Sequence, residues 1–336
     1  MIRHITKVAL SVVIAGISTA ALAADTADKR IAFSNNFAGN TFRQAMLESW
    51  KRVSAQAIST HAIKEAPIFT TAQNQVTEQA SQIQNLILQG YDAIVVNAAS
   101  PTALNGVIKQ ACAAGIIVVS FDGIVTEPCA YRVTFDYKKL GADQAAFLGS
   151  VFPNGANVLE VRGIAGTFID NDVSAGVHAA IDKMPGFKIV GSVYGNWSAV
   201  DSQQAVAGLL PSLPKVDAVL ASGGGTGIVQ AFEVAKRPFP LITMGNQYDE
   251  LEWWKKQRDA SGYRTRSAAA NPGITSFAFY VAQQALAGRV MPKDIAVPFL
   301  TVEQGTLDAV VKTTEPGAMA MRDYTLEDVS SSISKN

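Results

Sequence analysis

Histidine and cysteine are scarce in this sequence. Three histidines and two cysteines serve 336 residues. His4 falls in the first few residues, and neither His61 nor His178 stands at metal-ligand spacing from another His or Cys. A zinc site legible from spacing is therefore excluded. So is a Gly-x-Ser-x-Gly nucleophile elbow, which the chain lacks. Gly223-Gly224-Gly225-Thr226-Gly227 is followed by no Lys-Ser/Thr and misses the dinucleotide spacing, so it reads as a tight turn that lets backbone approach a ligand. Asp170-Asn171-Asp172 has the composition of a calcium loop but not its alternating oxygens or terminal Glu. The trio reads either as helix capping or as acceptors for ligand hydroxyls. Charge is sparse and balanced, with 28 basic and 28 acidic residues, which gives no footprint for nucleic acid. No apolar run reaches the roughly 20 residues that a spanning helix needs.

What is present begins at the N-terminus. Arg3 and Lys7 precede an apolar run over 8–17, and Ala21-Leu22-Ala23 supplies the small residues a signal peptidase reads. This is the pattern of a secretory signal peptide over 1–23, cut before Ala24, and it implies export. Cleavage would remove those two basic residues and no acidic one, for a net charge of −2. In an oxidising compartment Cys112 and Cys129 suggest one disulfide, tying the end of a helix to the loop beyond the next strand. The other reading is two buried thiols.

Downstream, apolar runs alternate with amphipathic stretches, the mark of parallel α/β units. Strands are expected over 31–33, 93–96, 116–121, 157–161, 188–194, 218–221 and 241–244. Helices are expected over 76–89, 103–114 (Ser100 as cap, Pro101 first), 143–151, 175–183, 202–210 and 228–236. The segment 91–123, YDAIVVNAASPTALNGVIKQACAAGIIVVSFDG, resembles 216–247, VDAVLASGGGTGIVQAFEVAKRPFPLITMGNQ. Each starts with an Asp before a short strand and ends in a second strand with a polar residue at its carboxyl end, Asp122 or Asn246. The spans nearly agree: Asp92 to Asp122 is 30 positions and Asp217 to Asn246 is 29. Two similar lobes are expected, each sending strand-end loops to one place, where open α/β sheets bind ligands.

The junction RIAFSNNFAGNTFRQAMLESW (30–50) crowds asparagines, aromatics and an arginine between a strand and a helix. Asn40 suits the N-cap, but Arg43 then sits in the first turn, where the helix dipole disfavours a cation. Asn36, Asn40, Asn97, Asp122, Asn171, Asn246 and Asn271 stand at or near strand ends in both halves. Any single Asn there can be a turn residue. As a group their paired donors and acceptors match the adjacent hydroxyls of a sugar or polyol. Phe37, Phe42, Phe121, Phe168, Trp197 and Tyr248 stand nearby. Phe42 reads as core or ligand contact, Trp253 and Trp254 as packing, and Trp197 in the turn YGNWS as the better stacking surface.

These motifs in this order, with GYDAIVVNAASP, AAGIIVVSFDG and VDAVLASGGGTGIVQAF, resemble the periplasmic sugar-binding proteins of the ribose-binding type, solute receptors of ABC importers. SNNFAGNTFRQAM resembles the matching stretch of a subgroup that takes sugars or sugar alcohols. The resemblance covers nearly the whole chain after the signal peptide. It implies an α/β fold of two Rossmann-like lobes with parallel sheets, joined by a three-strand hinge crossing near 131–136, 268–272 and 300–304. The N-terminal lobe would hold 24–133 plus 271–301, and the C-terminal lobe 134–270 plus 302–336.

The resemblance further implies a periplasmic monomer that binds a monosaccharide or sugar alcohol between the lobes and hands it to a membrane permease, without catalysis or cofactor. The contacts expected are Asn36, Asn40, Phe42, Arg43, Asn97, Asp122, Arg162, Asp172, Trp197, Asn246 and Asn271, with Asp122 matching the family's sugar-binding aspartate. The sequence departs from the ribose pattern at three positions: Val173 for an Arg, Asn246 for an Asp, and Ala270 for a Gln. Ribose is thereby put in doubt, and Arg43, Arg162 or the 170–172 trio would supply replacement contacts. The same fold also serves sensory receptors, such as those for furanose-like autoinducers. The export signal and the missing DNA-binding helices argue against a transcriptional regulator's effector domain, and a secreted carbohydrate-active enzyme using Asp122 and Asp172 as an acid/base pair is the last alternative.

Overall fold

The computed structural model describes residues 25–72 and 75–333; the expected signal peptide and its cleavage site before Ala24 lie outside them. The first half runs β1 (Ile31–Asn35), α1 (Thr41–Ser59), β2 (Ile68–Thr70), α2 (Val76–Leu88), β3 (Ala93–Asn97), α3 (Asn105–Ala113), β4 (Ile117–Phe121) and β5 (Tyr131–Phe135). There follow α4 (Tyr137–Val151), β6 (Asn157–Arg162), α5 (Phe168–Ile181), β7 (Lys188–Tyr194), α6 (Ala199–Leu209), β8 (Ala218–Ala221), α7 (Gly225–Val234), β9 (Leu241–Ile242) and α8 (Tyr248–Ser261). The chain ends in β10 (Ser267–Ala269), α9 (Ile274–Leu286), β11 (Asp294–Val297), β12 (Leu300–Val302), α10 (Leu307–Thr313) and α11 (Leu326–Ile333).

Two parallel sheets result, ordered β11-β5-β4-β3-β1-β2 and β7-β6-β8-β9. Their central strands are mostly apolar because both faces are covered, with polar residues such as Asn35 and Asn97 gathered at carboxyl ends. In β1 and β3, Ile31, Phe33, Ala93 and Val95 pack toward Trp50 of α1 and Phe277 of α9. Ala32, Ile94 and Val96 pack toward Ile83 of α2 and Ile108 of α3 on the other face. The second sheet divides the same way, with Val158 and Leu220 toward α5 and Leu159, Val161 and Val219 toward α6, α7 and α8. Cys112 of α3 and Cys129 of the β4–β5 loop form the disulfide.

The sheets are joined by three passages: β5 into α4, β10 into α9, and β11 into β12. Strands β10 and β12 pair antiparallel, Ser267 opposite Val302 and Ala269 opposite Leu300, so two passages run side by side in opposite directions. Phe135 and Phe299 stack beside them, with ring centroids 4.9 Å apart.

Several boundaries differ from expectation for local reasons. α3 starts at Asn105, because the Pro101 carbonyl accepts from Thr126 N–H at 2.8 Å instead of from a helical donor. Ser100 Oγ caps the preceding turn through Ala103 N–H. α5 starts at Phe168, capped by Thr167, so 170–172 fall inside its first turns and not ahead of the helix. The expected strand 241–244 is cut to two residues as Met244 N–H turns to Arg266. The tail expected in the second lobe divides. α10 packs on α8, while α11 returns to α9 and β11 of the first sheet. Tyr324 and Val329 are buried there, and the Tyr324 ring meets Phe277 edge-on, which gives the tail an apolar reason to cross back.

Candidate functional site

The carboxyl ends of the first sheet place a charged cluster. Asp122 follows β4 with φ 55°, a left-handed conformation that Asp tolerates better than most residues. Its backbone N–H is held by the Val133 carbonyl at 3.1 Å. Its carboxylate Oδ2 receives Asn97 Nδ2–H at 3.1 Å from the end of β3 and faces Arg43 Nη1 at 3.2 Å. Both members of the ion pair are largely buried. Asn40 caps α1, its Oδ1 accepting Arg43 N–H at 2.8 Å. Arg43 therefore sits in the first turn against the helix dipole, with the Asp122 carboxylate offsetting the penalty. Tyr137, at the start of α4, is also buried. Burial and the Asp122 charge push its phenol well above the usual range, so it is a neutral O–H.

The second sheet contributes an aromatic wall and a buried acid. Asn196 and Trp197 both have left-handed backbone, φ 53° and 57°, which presents the indole at the strand-end turn. The ring lies on Gly163, where a Cβ would come within 2.4 Å of it, so no side chain fits there. Trp197 remains 39% exposed. Asn246 is 1% exposed; its Oδ1 accepts from Ser267 Oγ at 2.5 Å and its Nδ2 has no partner. Glu250, buried in the first turn of α8, accepts N–H from Gly225 at 2.5 Å and Gln247 at 3.4 Å. Burial pushes its carboxyl up to about 7. Gly245 leaves room for this carboxylate, since a Cβ there would lie 2.3 Å from Oε2 and displace it.

Between these groups lies a cleft of about 430 Å³, within the ~300–1,000 Å³ range of small-molecule sites. Of the expected contacts, Asn40, Phe42, Arg43, Asp122, Trp197 and Asn246 line it. Asn97 stands one bond behind, holding Asp122, and Asn36 is buried with its carbonyl unpartnered. Val173, Asn246 and Ala270, where the sequence departs from the ribose pattern, all line the cleft.

Three expected contacts are elsewhere. Arg162 is clamped by Asp170 (Nη2–Oδ2 2.6 Å) and lies over the Tyr194 ring, its Cζ 4.9 Å from the centroid. That pairing also removes Asp170 from the ligand trio. Asp172 is exposed on α5 and is not part of the cleft wall. Asn271 is fully buried and holds backbone, giving Nδ2–H to the Arg322 carbonyl and accepting from Gly273 N–H.

The wall also holds Tyr137, Gln144, Ser222, Gln247, Glu250 and Met319, none of which sequence reasoning selected. The signal for the first two was the apolar-polar face 137/140/144, hidden because the helix was expected to begin only at 143. Among the described residues no group of three His, Cys, Asp or Glu could hold a metal ion, and no helix is long and apolar enough to cross a membrane.

The profile of the periplasmic binding protein domain matches residues 31–289. A ribose import binding protein of Bacillus subtilis is 25% identical over 235 residues, 69% of this chain and 75% of that protein. A xylitol-binding protein of Mycolicibacterium smegmatis is 26% identical over 189 residues, 55% of this chain and 54% of that protein. The crystal structure of an ABC transporter solute binding protein from Thermobispora bispora superposes with a TM-score of 0.76 at 32% identity, over 91% of this chain and 95% of that one.

Proposed function

The chain belongs to the periplasmic binding protein domain family, and from that premise we propose that it is a solute receptor. It binds a monosaccharide or sugar alcohol between its two sheets and delivers it to the permease of an ABC importer. The observation that carries this reading is the cleft itself. A buried Arg43–Asp122 pair stands on the first sheet, with the Trp197 ring and the open Asn246 amide on the second. Charged and amide groups suit hydroxyls, and an indole face suits the apolar C–H side of a sugar ring. The names of the relatives, ribose and xylitol binders, support the same ligand class. They also support a binding protein rather than an enzyme. In this reading the protein works as a periplasmic monomer after cleavage before Ala24. One lobe comprises 24–133, 271–301 and the returning α11, and the other comprises 134–270 with 302 through α10.

A thermal-shift screen of pentoses, hexoses and alditols tests the reading. A sugar present at one hundred times its dissociation constant adds about 2.7 kcal/mol of stability. Asp122→Ala is expected to stay folded by circular dichroism and lose a hundredfold or more in affinity. Charge-assisted hydrogen bonds are worth roughly 1.5–3 kcal/mol each, and the carboxylate can make two. Absence of any shift across the panel sinks the reading, and unchanged affinity in the variant reduces Asp122 to a turn residue.

A further inference from the structure

Gln144 is a buried polar side chain without a protein partner. It lies on α4, 4% exposed, and forms part of the cleft wall. No other described residue hydrogen-bonds its carboxamide, and neither amide atom is among the enclosed unpartnered ones, so the amide opens onto the cleft. An amide facing a cleft is satisfied by water there, and a ligand that displaces this water keeps its affinity only by replacing those hydrogen bonds. The surroundings give it little competition. Val173, Ile169, Leu140 and the Ala268–Ala270 strand present apolar side chains along the same wall, and Gly223 and Gly224 present only backbone. Of the other side-chain amides in the lining, Asn40, Asn246 and Gln247, Asn246 has an enclosed Nδ2 without a partner. Tyr137, Leu140 and Gln144 follow a helical i, i+3, i+7 spacing, so one face of α4 carries the phenol and the amide into the cleft.

We propose that Gln144 is a specificity-determining residue, whose carboxamide reads a hydroxyl of the bound sugar or polyol from the second lobe. This rests on the solute-receptor reading above. An amide offers an N–H donor and a carbonyl acceptor in one plane, which fits a hydroxyl that both gives and accepts, or two adjacent hydroxyls. Recognition on this side then comes from α4 and Asn246, in place of the positions occupied by Val173 and Ala270. A site built around a hydroxyl discriminates strongly against the analogue lacking it, because the protein amide is then buried unpaired.

The test is calorimetric titration of the full chain, native and Gln144→Ala. The probes are D-ribose, D-xylose and xylitol, with the monodeoxy derivatives of each. Gln144→Met, close in shape and apolar, takes the place of the alanine variant if that one fails to fold. The expected result is a loss of roughly tenfold or more for the parent probe that binds, and no loss for the one monodeoxy derivative missing the hydroxyl that Gln144 reads. Equal affinity of native and folded variant for the parent probe overturns the proposal and leaves the receptor reading standing. Equal losses for every monodeoxy derivative overturn it too. If none of these three binds, the sugar found by the thermal-shift panel and its monodeoxy derivatives take their place, and failure of the whole panel to bind the native chain takes down the receptor reading and the proposal together.

Discussion

Glu250 forms no ion pair among the described residues, and burial raises its carboxyl from an ordinary 4.5 to about 7. Between those two pH values the folded chain holds a proton that the unfolded chain has released. Stability is therefore expected to fall as pH rises from about 4.5 to about 7, and to stay at the lower level above that. The difference is on the order of 3 kcal/mol. Glu250→Gln should flatten this slope, at a constant cost for weaker acceptance from the Gly225 N–H. Urea denaturation of both chains at about pH 5 and about pH 8 checks it, and parallel pH profiles would show that Glu250 does not titrate in this window. At this scale the sequence was only partly legible. Asp122 was marked by its place after a strand repeated in both halves. Glu250 and Gln144 were not, because nothing in their neighbours along the chain distinguishes a buried acid or amide from a solvated one.

Among the elements, α3 and the β4–β5 loop are tied by the Cys112–Cys129 disulfide across 17 positions. The bond restricts the unfolded chain, and for a loop of about this size the entropic account gives about 3 kcal/mol. The Cys112→Ser/Cys129→Ser double variant is expected to remain folded and to melt several degrees lower in calorimetry. An unchanged midpoint would mean that the link constrains nothing the fold does not already hold. Element existence was legible from apolar periodicity: β7 and β8 fall where expected. Starts were less so. α4 was expected from 143 but begins at Tyr137, where Asp136 Oδ1 caps it through Lys139 N–H at 2.9 Å. A cap next to a crossing strand reads as loop until the strand's partner is known.

For the whole molecule the decisive feature is that the cleft residues come from both sheets. Asn40, Arg43 and Asp122 belong to one, and Trp197, Asn246 and Gln144 to elements packed on the other. A sugar touching both sets binds a closed arrangement better than an open one, and that differential affinity is what shifts the population. The bending is expected at the three passages beside the β10–β12 pair and the Phe135–Phe299 stack. Small-angle scattering should show a smaller radius of gyration at saturating sugar. No change at saturation would place the ligand within one lobe.

The sequence by itself determined the alternation of strands and helices, the doubled α/β pattern, the cysteine pair and the aspartate at the end of β4. The strands and helices follow from local geometry, a period of two or 3.6 residues, a turn, a cap; the cysteine pair follows from a count of two beside an export signal, and the aspartate from the repeat and the family resemblance. Tertiary structure alone decided that Arg162 is clamped by Asp170 while Arg43 meets Asp122. It alone turned Asn271 inward to hold Arg322 and brought α11 back onto the first sheet. It alone placed Gln144 in the cleft wall. An arginine or an amide has the same local preferences whether it ends beside a carboxylate, a carbonyl or an open cleft. The choice among them is made by segments distant in sequence, whose approach depends on how the two sheets pack and cross.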